Sequence, residues 1–507
     1  AAEIRILKSL PFYLEQMGGP IPQPAILKNK LNEISREESK LAEAELGAAS
    51  SGDRPHSSSS HRKHLDELGE IVKNDSEVQR YLIQCVRHKL GDYQYSKESV
   101  LFELFQNADD AEQQLFDAAD DPSSRDAGEQ GMRRFVLESS AEHIRVLHWG
   151  RLINDPVRYG DTELQDKYRD DLRKMLILNA SGKSGTRVTT GKFGLGFKSV
   201  YLVCDEPRFI SGDLLVKIKG GMLPEQWQDG GDAARLLNDY TRDARERGTV
   251  FELPVSETKQ REMLQPFERY IGLLPVFSRR IRQIELVVNA QRKVVGWNPD
   301  VLAEGVEAGD VALPEGKSGK VLLIRNDHGS VALRLAPDGC TTFDESISHI
   351  WVTVPTRETD NIGFIINADF RVDVGRGRLG GDEAQHNRLL DSIGRELGRQ
   401  LAHLCMANAE PDAWRELRQK LGLQVDISAA HFWATLWDAL AKHPIRQEGS
   451  DLAKMAATLV HAAFKAWHEA GARIPNGLKG VDADWHDADT PIGSILQLEP
   501  TWIERDI

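Results

Sequence analysis

The chain has 507 residues, 40% hydrophobic and 28% charged, with a formal net charge of −14. A chain this long divides into roughly two to four domains. Its acidic balance excludes non-specific binding to DNA or to anionic membranes as the main activity, because both depend on basic surface. No apolar run reaches the ~20 residues that cross a bilayer. The opening Ala1-Ala-Glu-Ile-Arg-Ile-Leu is too polar for a secretory signal, and without an initiating Met the chain reads as a fragment or a processed form. Cys85, Cys204, Cys340 and Cys405 lie far apart with no Cys-x-x-Cys pair, which points to free thiols in a reducing cytoplasm rather than metal ligands.

In chain order, residues 1–75 read as a helical extension, charged from Lys28 to Glu45. It is interrupted at 48–61 by a flexible loop carrying Gly52, Pro55 and Ser57-Ser-Ser-Ser60. A helical stretch follows from Lys63 through Tyr81-Leu-Ile-Gln-Cys-Val86. From Lys97 the apolar residues Val100, Leu101, Leu104, Phe105, Ala108 and Ala111 recur at helical spacing. Glu103, Asn107 and Asp110 fall on one stripe of the same helix. Strands are expected at Phe135–Glu138 and Ile144–Leu147, then a charged helix at Leu164–Leu178. A Gly/Ser/Thr-rich loop at Asn179–Thr190 comes next, followed by strands at Arg208–Ser211, Leu214–Ile218 and Thr249–Leu253. Residues 76–255 therefore read as an α/β sandwich. A second α/β domain is expected over 256–408, with strands at Ile284–Val288, Lys320–Ile324, Val331–Leu335, His349–Val354 and Gly363–Asn367 and a helix over 386–406. Residues 409–507 read as mainly helical, with Trp433, Trp437, Phe464 and Trp467 as core anchors.

Hydrolysis of a nucleotide phosphate needs an activated water, a cation to neutralise phosphate charge and fixed donors around the phosphates. Glu103 is suited to orient and deprotonate the water. Asn107 supplies a hard oxygen for Mg2+, and Asp110 extends the same face toward the nucleotide. Taken alone, the triplet reads rather as a solvated helix face. Further on, Gly191-Lys192-Phe193-Gly194-Leu195-Gly196-Phe197 allows tight turns and close backbone approach. Phe197–Tyr201 then opens a helix whose amides and dipole attract phosphate. Asn179–Thr190 has the composition of a lid over the site, and Lys183 and Lys192 are within reach of a phosphate or are simply exposed. Gly182-Lys183-Ser184 is not a P-loop, since the earlier glycine would fall at Ile177.

This ordered set resembles the GHKL ATPases, the Bergerat-fold group that includes heat-shock protein 90, MutL, type II topoisomerases and histidine kinases. It is most similar to the ATP-binding module of sacsin and its bacterial relatives. Glu103, Asn107 and Asp110 match the N-box. Gly191–Tyr201 and the following Leu202–Gly212 resemble the sacsin-type glycine box, and Gly248-Thr249 fits the late pair whose threonine lies near the adenine. The resemblance implies a Bergerat α/β sandwich at 76–255, a transducer-like α/β domain, and ATP and Mg2+ as cofactors. In that scheme Glu103 is catalytic and Asn107 holds Mg2+. Asn107, Asp110, His148, Gly150, Gly191, Lys192, Phe193, Gly194, Leu195, Gly196, Phe197 and Thr249 contact the nucleotide. The departure is at the base: the family's Asp-x-Gly becomes His148-Trp149-Gly150, so His148 either accepts from the base or is a structural strand-end residue, with water or Asp155 in the aspartate's role. In Asn367–Arg378 the resemblance implies a basic residue sent to the γ-phosphate, Arg376 or Arg378 with Arg371 third, unless the turn is merely solvated.

The expected function is a cytoplasmic Mg2+-dependent ATPase whose nucleotide state drives a chaperone-like or regulatory machine. Its partners would be a protein client or a second copy. One alternative is a low-turnover nucleotide-sensing module of a bacterial defence or signalling assembly. Another is a DNA-directed ATPase of the MutL or MORC kind, which the net charge disfavours. Histidine kinase activity is disfavoured too, since no phosphoacceptor pattern lies upstream.

Overall fold

A computed structural model describes residues 2–17, 21–48, 59–117, 133–155, 171–176, 196–242 and 247–472, apart from 359, 374, 376, 382 and 445–449, together with 474–476 and 484–486. The chain is mixed α/β and divides into two compact units, Ala1–Phe267 with Ile284–Val294, and Glu268–Gln283 with Val295–Ile507.

The first unit begins with helices α1 (Ala2–Met17), α2 (Ala25–Ala48), α3 (Ser59–Asn74) and α4 (Ser76–Asp92). Helix α4 starts where Asp75 accepts hydrogen bonds from the Glu77 and Val78 amides, satisfying two donors that the helix itself leaves open. Helix α5 spans Val100–Asp117. The strands are β1 (Arg134–Ser139), β2 (His143–His148), β3 (Arg208–Ser211), β4 (Leu214–Lys219), β5 (Leu223–Gln226), β6 (Thr249–Pro254), β7 (Gln283–Val288) and β8 (Gln291–Gly296). They form one eight-stranded sheet in the order β5-β4-β3-β6-β2-β1-β7-β8. The segment at Ile284–Val288 is expected from the sequence to open the second domain. It belongs instead to this first sheet, beside β1, because an edge strand is claimed by whichever sheet offers free backbone groups, and that is a non-local event.

Directly paired residues in an antiparallel ladder point to the same face. The pairs Phe135–His148, Val146–Phe251 and Phe209–Phe251 therefore share one face. Helix α5 and helix α8 (Glu257–Tyr270) cover it, with Phe102, Phe105, Phe135 and Phe267 packed at centroid distances of 5.2 to 6.4 Å. The opposite face buries Leu147, Trp149, Ile210 and Val250 against Ala233 and Leu237 of α7 (Gly231–Tyr240). On that same face Arg145 and Arg208 both donate to Glu252, at 2.9 and 3.0 Å. Between β2 and β3, the described part of the chain includes the short helix α6 (Asp171–Leu176).

The second unit builds its own eight-stranded sheet from β9 (Asp300–Ala303), β10 (Val306–Ala312), β11 (Ser318–Asn326), β12 (Gly329–Ala336), β13 (Gly339–Thr341), β14 (Ile350–Val352), β15 (Val354–Pro355) and β16 (Ile365–Ala368). Helix α9 (Leu274–Phe277) precedes it. Helices α10 (Glu383–Ala407), α11 (Pro411–Leu421), α12 (Ala429–Ala441) and α13 (Asp451–Glu469) follow, so the C-terminal region is largely helical. Trp433, Trp437, Phe464 and Trp467 are all buried in its core, as their clustering in the sequence predicts. Helices α10 and α13 approach so closely that a methyl group at Gly398 would lie 2.0 Å from the Ala463 carbonyl oxygen, and one at Gly394 would lie 2.3 Å from that of Leu459. Among the described residues, no helix is long and apolar enough to cross a membrane.

Candidate functional site

Helix α5 carries its apolar residues toward the sheet, and that register decides where its polar stripe goes. Glu103 is only 4% exposed, so the solvated-face reading fails for it, while Asn107 is exposed and Asp110 half-buried. The group standing over Glu103 is Gly196. A methyl group there would lie 2.7 Å from Glu103 Oε2 and 3.9 Å from Asn107 Nδ2. The end of the glycine-rich segment and the acidic stripe of α5 therefore meet at one place. Gly191, Lys192, Phe193, Gly194 and Leu195 lie outside the described residues, as do Lys183, the Asn179–Thr190 segment and Arg376.

The segment after Gly196 differs from the expectation of an α-helical N-terminus. Phe197–Leu202 is a 3-10 helix of six residues, and Ser199 closes its first turn by donating from both its amide and its hydroxyl to the Gly196 carbonyl, at 3.2 and 2.7 Å. So short a helix carries little aligned dipole. The same turn buries Lys198 completely, and its Nζ donates to the Leu176 carbonyl at 2.7 Å. Burial pushes this ammonium down to about 7. Sequence reading passed over Lys198. The available signal was a lone lysine inside the apolar run Phe197–Tyr201.

The other end of the site lies where β2 and β6 begin to diverge. His148 of β2 pairs with Thr249 of β6, which pairs in turn with Ser211 of β3. Thr249 Oγ1 and Ser211 Oγ are 2.7 Å apart, and Ser211 Oγ accepts from the Ile153 amide at 3.0 Å. Ser211 was not a sequence candidate; only strand register reveals it. His148 is buried, and its ring lies over Phe251 with centroids 6.3 Å apart and planes at 22°. Phe251 contacts Phe197 in turn, at 5.6 Å. A continuous line therefore runs from Glu103 and Asn107, through Gly196 and Phe197, to Phe251, His148 and Thr249. Burial, with the adjacent Arg151 charge as a smaller cause, pushes the His148 imidazole down to about 4, so it is neutral at physiological pH. The Gly150 amide donates to its Nδ1 at 3.3 Å.

Gly150 is held by packing against α5: a methyl group there would lie 2.6 Å from the Ala111 carbonyl carbon and the Glu112 amide nitrogen. The Trp149 amide also donates to Glu112 Oε1, at 3.2 Å, and the Arg151 amide to the Ala111 carbonyl, at 3.0 Å. Strand β2 is thereby pinned to the helix that carries Glu103. Gly248 leaves room for the Trp149 indole, whose Nε1 would be 3.0 Å from an added methyl. Asp155 sits in the turn after β2, its amide donating to the Leu152 carbonyl at 3.3 Å.

Arg371 and Arg378 belong to the second unit and both are exposed. Arg378 lies in a tight turn closed by the Val372–Leu379 bridge, where the Gly377 amide donates to Asp373 Oδ1 at 2.6 Å. Elsewhere, Glu33, His64 and Glu67 converge in the manner of a metal set. The Lys30 ammonium already stands among them, 2.5 Å from Glu33, 2.7 Å from Glu67 and 3.4 Å from His64 Nδ1.

Compared with known families, residues 79–220 match the model of the Sacsin domain. The matched stretch runs from α4 through β4 and takes in Glu103, Asn107, Asp110, His148, Gly150 and Gly196, with Thr249 beyond it. No curated protein matches the chain.

Proposed function

We propose that the first unit binds a magnesium nucleoside triphosphate and hydrolyses its terminal phosphate, as a sacsin-like and heat-shock protein 90-like ATPase of the GHKL group. Nucleotide state would drive a conformational change in a chaperone-like or regulatory machine, with a protein client or a second copy as partner. The observation that carries this reading is Gly196 standing against the Glu103 carboxylate and the Asn107 amide: the two sequence segments suited to phosphate chemistry converge there. The match to the Sacsin domain over the same residues supports it.

In this reading Glu103, held rigidly by α5, takes the proton of the attacking water and turns its oxygen toward phosphorus. Gly196 lets the backbone approach the phosphates. Asn107 is the candidate ligand of Mg2+, which when bound neutralises phosphate charge and polarises the oxygens it touches. Asn107 is exposed, and its hard amide oxygen suits such an ion. The Phe197, Phe251, His148 and Thr249 end would take the base.

The test is calorimetric titration with Mg2+ and a panel of nucleotides, together with phosphate release. Nucleotide binding that survives Glu103→Ala, with hydrolysis lost, is the expected result. A wild type that binds no nucleotide at all overturns the reading. A second reading is a sensing module that holds nucleotide with little turnover, and the deep burial of Glu103 favours it by limiting water around the base. Full occupancy, no measurable release, and partner binding unchanged by Glu103→Ala would select it.

A further inference from the structure

The turn that begins at Gly196 is fastened from several sides. Ser199 closes it from within, through its two bonds to the Gly196 carbonyl. Its far end is held by cations of two helices: Arg87 Nε of α4 donates to the Tyr201 carbonyl at 2.6 Å, and Lys259 Nζ of α8 to the Val203 carbonyl at 2.8 Å. At the near end, beside Gly196, Lys198 Nζ donates outward to the Leu176 carbonyl at the end of α6, at 2.7 Å. Lys198 is fully buried. A lysine is seldom placed so, because its ammonium gives up water and must be paired. A methionine of similar length would fill the same space without that cost.

Helix α6 is itself fixed at its other end. Asp171 Oδ2 accepts from Arg151 Nη1 at 2.6 Å and from the Asn154 amide at 3.2 Å, and Asn154 Oδ1 accepts from the Leu172 amide at 2.9 Å. Arg151 Nε in turn donates to Gln114 Oε1 at 2.8 Å, and Gln114 belongs to α5, the helix that carries Glu103. These contacts close a ring. It runs from α5 through Gln114, Arg151 and Asp171 to α6, then through Leu176 and Lys198 to the Gly196 turn. Gly196 stands back against Glu103 of α5. The approach of Gly196 to Glu103 is thus braced by side chains outside the site. A general base works only within hydrogen-bond reach of the water it deprotonates, so this spacing bears on the reaction.

We infer that Lys198 is a positioning residue for hydrolysis: by anchoring the Gly196 turn to α6 it keeps that backbone in place opposite Glu103, while touching neither nucleotide nor water. Asp171, at the other end of α6, serves the same ring. The inference rests on the nucleotide reading given above and deepens it.

The test is steady-state hydrolysis of ATP with Mg2+ by the full chain, beside the urea midpoint and hydrogen exchange of the segment 197–202. Lys198→Met keeps the length and removes the donor. It is expected to lower kcat by about tenfold to a hundredfold, as small misplacements do, with KM nearly unchanged. Asp171→Ala is expected to give the same split. The double variant should be no slower than the slower single one, because both open one ring. Exchange in 197–202 should quicken in both variants without nucleotide. A kcat that is unchanged in Lys198→Met, with only the urea midpoint lowered, makes Lys198 structural; it overturns the positioning role and leaves the nucleotide site standing. Unchanged exchange, or losses that simply multiply in the double variant, overturns the ring through α6. Should Lys198→Met fail to fold, Asp171→Ala decides by the same split. A wild type that binds nucleotide and never hydrolyses it overturns the positioning role, since there is then no reaction to position. A wild type that binds no nucleotide overturns the site itself, and this inference with it.

Discussion

In the first unit Gly196 stands against a buried carboxylate; in the second, Gly394 and Gly398 stand against the backbone of a neighbouring helix. A side chain at Gly394 or Gly398 would meet fixed backbone, whereas one at Gly196 would meet the end of the Glu103 side chain. Around Gly196 the covered face of the sheet buries Glu103, His148, Lys198, Ser211 and Thr249. The α10–α13 contact closes a core of aliphatic residues and tryptophans. Buried polar groups cost stability unless they are paired, so a unit that keeps several along one line is organised around something other than packing. The second unit buries polar groups too, among them Ser348, His349 and Thr353, but the packing at Gly394 and Gly398 follows the ordinary rule of a dense apolar interior.

The contrast can be broken by substitution, and the largest effect is expected at Glu103. Glu103→Gln should lower phosphate release by roughly 10²–10⁴, the usual weight of a general base, with nucleotide occupancy retained in a binding assay. Unchanged release would remove Glu103 from the chemistry and make the first unit's buried polarity structural. In the second unit Trp467→Ala should cost roughly 3–5 kcal/mol, read as an earlier denaturant midpoint, with nucleotide binding by the first unit preserved.

The two glycines give a sharper comparison. Gly398→Val forces a side chain into the α13 backbone and should destabilise by about 1–3 kcal/mol. Gly196→Ala should leave the unfolding midpoint nearly unchanged, since the chain beside it leads into a 3-10 turn, yet abolish nucleotide binding by crowding the Glu103 carboxylate. If Gly196→Ala binds nucleotide normally while the fold weakens, the two glycines play the same role and the contrast fails.

A further effect is in acid. Burial pushes His148 and His349 down to about 4, one in each unit. An unfolded histidine takes its proton near 6.5, so between about pH 6.5 and 4 the unfolded state binds more protons. Stability is therefore fully present above 6.5 and falls as the pH drops toward 4. A urea midpoint followed over that range should decline in both units. His349→Gln should make the decline shallower in the second unit only, where His461, pushed down to about 3 by burial, still contributes.

Much of this was legible from residue order. The helical spacing around Val100–Ala111, the alternating strands at Phe135, Ile144 and Thr249, and the tryptophans of the C-terminal helices are local patterns, and local patterns survive without tertiary context. Less legible were the things that need a partner distant in sequence. Ile284–Val288 has the composition of any strand, and only the free edge of β1 shows where it goes. Ser211 became part of the site because β3 pairs with β6 in one particular register. Lys198 is a lone lysine in an apolar run, and only the fold sets the Leu176 carbonyl against it. Gly150 reads as a residue that approaches a ligand, and the fold shows the close approach to be to the backbone of α5.

By itself the sequence determined the chemistry on offer: a carboxylate and an amide at helical spacing, a run of glycines in the right order after them, and a histidine at a strand end. Those depend on residue identity and on the short-range geometry of helices and strands, which a chain carries wherever it folds. Tertiary structure decided which of them meet and in what state. It set Gly196 over Glu103, it buried His148, and through the Gly150 amide it put the imidazole proton on Nε2. Burial and hydrogen-bond direction come from neighbours brought together across the chain, so the character of the His148 end was decided only there.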